Sequence, residues 1–221
     1  MASMRSRLSL DEAIRLTRTG DLWVFRGRTT ADRAIRLVTN APVNHVGMAV
    51  VLDDLPPLLW HAELGRSLVD VWTGERQRGV QLHDLAQAVT HWRDRYRQRA
   101  WLRQLTPDVT RAQEDAALRT IARLDGTPFP STTRLAGRWL RGRAGVLADP
   151  RAFRARRRGG PAPAMDPRAV YCAEVVAITY AEMGLLDGAM PSMFFDPGTF
   201  WSGDDLGLRL GYRLGEEVEI D

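Results

Sequence analysis

The chain contains a single cysteine, Cys172, and four histidines, His45, His61, His83 and His91. A thiol beside an imidazole base can attack an acyl carbon, provided a third group holds the base in one tautomer and orientation. Cys172 as nucleophile, His45 as base and His61 as orienter meet that description in residue type. Glu63, two residues beyond His61, faces the same side of a strand. His45, His61 and Glu63 also have the donor types for zinc. They lack a signature such as His-Glu-x-x-His, so the thiol reading ranks first and no metal or cofactor is expected. A lone buried cysteine is by itself most often a small hydrophobe, so its surroundings decide. His83 and His91 lie in weakly patterned polar segments and are read as surface residues.

These residues need elements to position them. The stretch 169–184 has an apolar body in Val175, Val176, Ile178, Ala181 and Met183, with Asp166 and Pro167 upstream as start signals and Gly184 as a stop. This predicts a buried helix with Cys172 in its first turns, where unpaired N–H groups and the helix dipole favour a thiolate. Asn44 to Leu52 is apolar at nearly every position and reads as a central strand buried on both faces, begun by His45. Asp53-Asp54 and Pro56-Pro57 make a turn into a strand over Leu58–Glu63, and Ser67–Trp72 reads as a third strand of an antiparallel meander. Pairing across the first turn would bring His45 and His61 together.

The remaining segments frame this unit. Ser9 and Glu12 form a capping-box pattern for a short helix ending by Gly20. Asp21–Phe25 reads as a strand. Thr30 caps a predicted helix over 31–38. Leu82–Val89 reads as a weak helix and Tyr96–Leu105 as a strand. Thr106-Pro107-Asp108 opens a predicted helix to Leu124, and another covers 132–140. Residues 141–165 are rich in Arg, Gly and Pro and read as an insertion loop, with Arg154, Arg156, Arg157 and Arg158 as a contact for an anionic surface. Phe194, Phe195, Phe200 and Trp201 read as an exposed aromatic group. Leu206–Leu214 and Val218–Ile220 read as closing strands.

The 221 residues predict one domain, 1–221, of α+β class. Every basic residue is Arg, and the formal net charge is +4. That charge alone does not imply nucleic-acid binding, and no specific nucleic-acid partner is expected. No apolar run reaches a membrane-spanning length and no secretory h-region is seen, so a cytoplasmic location is expected. The lone cysteine fits a reducing compartment.

Four motifs, in order, resemble the circularly permuted branch of the NlpC-type papain-like thiol enzymes, the YiiX/YebB-like group, which is also similar to lecithin:retinol acyltransferase. They are Gly20-Asp-Leu-Trp-Val-Phe25, His45-Val-Gly-Met-Ala-Val50, Trp60-His-Ala62 and Tyr171-Cys-Ala-Glu174. Ala173 stands where relatives carry Ser, and His61 where many carry Glu. The resemblance implies a permuted papain-like fold: an antiparallel sheet or half-barrel against helices, with the nucleophile at a helix N-terminus. It implies a cysteine-dependent hydrolase or acyltransferase acting on a peptide or lipid acyl group through a thioester. The alternative is a catalytically silent papain-like module that binds lipid or peptide. By the same resemblance Glu63 is a rival to His61 as orienter and Tyr171 lines the site, while Glu174 is read as structural.

Overall fold

In the computed structural model, residues 7–28, 32–33, 36–37, 40–129, 170–188, 191–202 and 206–221 are described. The elements run β1 (Arg7–Leu8), α1 (Leu10–Leu16), β2 (Leu22–Arg26), β3 (His45–Val50), β4 (Leu58–Glu63), β5 (Gly79–Asp84), α2 (Leu85–Tyr96), β6 (Arg99–Arg103), β7 (Leu105–Thr106), α3 (Arg111–Leu124), α4 (Cys172–Glu182), β8 (Arg213–Leu214) and β9 (Val218–Ile220). Two 3₁₀ turns, Ser192–Phe194 and Pro197–Phe200, follow α4. Seven strands form one sheet in the order β1-β9-β6-β2-β3-β4-β5. Every pairing in it is antiparallel except β1 with β9. The chain is thus α+β with a mostly antiparallel sheet. Among the described residues, no helix is long and apolar enough to cross a membrane.

Side-chain alternation along the strands divides the core into two layers. Val46, Met48 and Val50 of β3 and Trp60 and Ala62 of β4 face the apolar side chains of α3 and α4. Ala49 and Leu59 face the other way, toward Leu85, Ala88, Val89 and Trp92 of α2. Helix α4 lies on β3 and β4 and is buried from Cys172 through Tyr180. Trp60 Nε1 donates to Thr179 Oγ1 at 3.0 Å, which ties β4 to the middle of α4. Gly184, at φ +74°, takes the left-handed conformation just past the helix, which glycine adopts without steric cost.

Several predicted elements hold. Ser9 and Glu12 complete their capping box. The central strand sits between β2 and β4, and β2 to β5 form the meander. Others are corrected. Ser67–Trp72 is not a strand, because the buried Asp70 carboxylate gathers the N–H of Thr73 at 2.9 Å and of Leu82 at 2.8 Å and holds that stretch as a turn. The third meander strand is β5 instead. The helix placed at Leu82 starts at Leu85, where Asp84 accepts from the Gln87 N–H at 2.8 Å. The helix placed at Thr106 starts at Arg111, after the Thr110–Gln113 capping box. Only Arg213–Leu214 of the predicted 206–214 strand is extended, since Gly207, Leu210 and Gly211 all have positive φ. Phe195 and Phe200 are buried, not exposed. Thr30, Ala31, residues 132–140, the 141–165 loop with Arg154, Arg156, Arg157 and Arg158, and Asp166-Pro167, for which the sequence predicts caps, a helix and an insertion, lie outside the described residues.

Candidate functional site

His45 opens β3, and the chain just before it is anchored on β2. Asn44 donates its backbone N–H to the Phe25 carbonyl at 3.0 Å, and its side-chain oxygen accepts from the Gly27 N–H at 2.6 Å. The ladder between β3 and β4 covers Met48, Ala49 and Val50, paired with Trp60, Leu59 and Leu58. It does not extend to His45–Gly47. Gly47 is part of β3, and a side chain there would point to the face that carries His61. A Cβ there would meet Leu59 Cδ1 at 2.6 Å and the His61 Cβ at 3.2 Å. The glycine therefore makes room for the two imidazoles to touch.

They touch through ring nitrogens. His45 Nε2 lies 3.0 Å from His61 Nδ1, with the rings nearly perpendicular at 88°. The contact continues: His61 Nε2 lies 3.0 Å from His83 Nδ1. Three imidazoles from β3, β4 and β5 thus form a line. Trp92 of α2 lies edge-on to His45 and His61, with ring centroids 5.4 and 5.2 Å away, and Phe25 flanks His45 at 5.7 Å. These apolar walls desolvate the rings. Burial pushes His45 down to about 3 and His83 down to about 4, and His61 falls well below its ordinary value. Repulsion from His83 lowers His45 and His61 further. All three are neutral at pH 7.

The surface reading of His83 is therefore overturned. Its side chain is completely buried, because the period-two alternation of β5 turns Gln81 and His83 to the same face as His61. The sequence signal was present in Val80, Leu82 and Leu85 flanking the histidine. The helix pattern from Leu82 onward hides that alternation, since β5 runs to Asp84 before the helix begins. His91 is half-buried on α2 with its ring 5.6 Å from Tyr96.

Glu63 does not reach His45. Its Oε1 accepts from Ser67 Oγ at 2.8 Å, and burial raises its pKa. Among the described residues, no group of three or more His, Cys, Asp or Glu converges on a point that would hold a metal ion. The histidines are strung in a line and use their nitrogens on one another.

Cys172 is the first residue of α4 and is buried. Tyr171 is the N-cap, and its backbone N–H donates to the Glu174 carboxylate at 3.1 Å. The Tyr171 hydroxyl donates to the Phe195 carbonyl, joining the helix start to the 3₁₀ segment. Glu174 is thus a buried reciprocal cap. The thiol meets β3 one residue beyond His45, where the Val46 N–H points at the sulfur. Among the described residues, no hydrogen bond joins the sulfur to an imidazole. His45 keeps part of its surface exposed; its ring packs with His61 and Trp92 on the α2 face of the sheet, whereas Cys172 packs with Val46 and Met48 in the α4 layer, and with Nε2 at His61 its remaining ring nitrogen is Nδ1.

The expected resting thiolate is also corrected. Burial pushes the thiol up to about 11, against the N–H groups of Val46, Ala173 and Cys172, and the Glu174 charge adds to the rise. Desolvation of the anion outweighs the helix terminus here. Thiol and imidazole are each neutral at rest.

No family model and no curated protein matches this chain. Among solved structures it is similar to the crystal structure of the metalloprotein yiiX from Escherichia coli O157:H7, DUF1105, at 19% identity and a TM-score of 0.48. The likeness covers 76% of this chain and 66% of that one, so the chain spans just under two thirds of that protein's length.

Proposed function

We propose that the protein is a cysteine-dependent acyl hydrolase or acyltransferase with a permuted papain-like arrangement, Cys172 as nucleophile, His45 as base and His61 as orienter. The observation that carries this reading is the 3.0 Å contact of His45 Nε2 with His61 Nδ1, beside Val46, the next residue, whose backbone N–H points at the Cys172 sulfur. As the sulfur attacks an ester or amide carbonyl, the S–H proton passes to His45 Nδ1 and the S–C bond forms. The carbonyl π electrons move onto oxygen, beside the backbone N–H of Cys172 at the start of α4. Collapse expels the leaving group, which takes the proton from His45. Water, or another acyl acceptor, then cleaves the thioester with His45 again as base. Because the resting pair is neutral, the proton moves during attack rather than before it, and a bound acyl group excludes water from the site.

The substrate class is a peptide or lipid acyl group. The second reading, a papain-like binding module without chemistry, is favoured by the raised thiol. A single experiment separates the two. The full chain is mixed with p-nitrophenyl acetate, the nitrophenolate burst is followed, and acetylated Cys172 is located by peptide mass. A burst is expected in the wild type, absent in Cys172→Ala and roughly 10²-fold slower or more in His45→Ala. No acetyl on Cys172, or equal rates with and without His45, overturns the catalytic reading.

A further inference from the structure

His83 has no place in a triad, yet it is buried and aligned with one. Its Nδ1 is 3.0 Å from His61 Nε2, and its Nε2 is buried without a hydrogen-bond partner. A neutral imidazole has one N–H and one lone pair. Two links in a row therefore permit only two proton arrangements. Either every ring donates from Nε2, toward His83, or every ring donates from Nδ1, toward His45. Any mixture sets two hydrogens or two lone pairs face to face across 3.0 Å between buried rings.

The outer end of the line selects between these arrangements. The buried carboxylate of Asp70, which holds the N–H of the preceding residue, Leu82, at 2.8 Å, acts on His83 through its negative charge. Arg76, exposed on the same connection, opposes Asp70 but has the weaker influence on His83. The other titratable neighbours in the line are His61 and, through it, His45. A net negative field favours an N–H over a lone pair on the outermost nitrogen, Nε2.

We infer that the three imidazoles form one tautomeric unit, in which His83, acting through His61, fixes the proton of His45 on Nε2 and leaves Nδ1 as a lone pair. His83 is a positioning residue, two rings removed from the reacting atoms. That Nδ1 serves as the base rests on the function proposed above; the coupling of the tautomers does not.

The test is the ring-nitrogen NMR spectrum of the full chain labelled with ¹⁵N-histidine, at neutral pH. The wild type should show His45, His61 and His83 each with the proton on Nε2. His83→Asn, whose side-chain oxygen can accept in place of Nδ1, should preserve the His45 tautomer. His83→Leu, which removes the acceptor, should leave His45 populating both tautomers. A proton on Nδ1 of His45 in the wild type overturns the assignment, and this spectrum needs no variant to fold. An unchanged His45 tautomer in folded His83→Leu overturns the coupling and makes His83 merely structural. Coupled tautomers in a chain that does not acylate Cys172 would sink the thiol reading and leave this inference standing.

Discussion

The histidine line makes stability fall with acid, by an amount that can be worked out. His45 and His83 have ordinary values of 6.5 but are held at about 3 and about 4 in the folded chain. The unfolded chain therefore binds protons that the folded chain refuses. Stability from these groups is present above pH 6.5 and is lost as pH falls toward the folded values. Between pH 7 and pH 5, each such imidazole removes about 2 kcal/mol, since 1.5 pH units below the unfolded value is worth about 1.36 kcal/mol per unit. His61 acts in the same direction. Asp21 and Asp125, raised by burial to about 6, act in the opposite sense and offset part of the loss. The clean observable is therefore a difference between variants. Urea unfolding at pH 7 and pH 5 should show the wild type losing about 2 kcal/mol more than His83→Asn, out of a total stability of order 5–15 kcal/mol. A difference under about 0.5 kcal/mol would mean that His83 titrates like an exposed imidazole, and the buried line would be wrong.

Cys172 should react slowly with iodoacetamide. A thiol at about 11 carries roughly 300-fold less thiolate at pH 7.5 than a free one, partly offset by its greater intrinsic nucleophilicity, for a net rate about twenty-fold below a free thiol. Log rate should climb steadily past pH 9, and a plateau below pH 8 would refute the neutral pair. Gly47→Ala should cost about 1–3 kcal/mol in thermal or urea unfolding, because the added methyl meets Leu59 Cδ1 at 2.6 Å. An unchanged midpoint would show that the two strands can part without penalty. Thr179→Val should cost about 1–3 kcal/mol, because it leaves the buried Trp60 N–H unpaired. Thr179→Ser keeps the hydroxyl and should recover most of that loss.

The sequence alone determined those features that are local. The capping pair Ser9 and Glu12, the apolar run after His45, the turn into Leu58 and the glycine stop after α4 each depend on residues within a few positions of one another. The meeting of His45 with His61 was legible for the same reason, since one short turn joins their strands. Tertiary structure decided the rest. His83 joins the line because Asp70, twelve residues before Leu82, captures that residue's N–H, so that the chain loops out before β5 rather than pairing at once. The ionisation of Cys172 is not legible in the sequence, because a helix terminus is visible there while burial is not. In the folded chain, desolvation of the sulfur between α4 and the start of β3 outweighs the helix N–H groups that the sequence advertised.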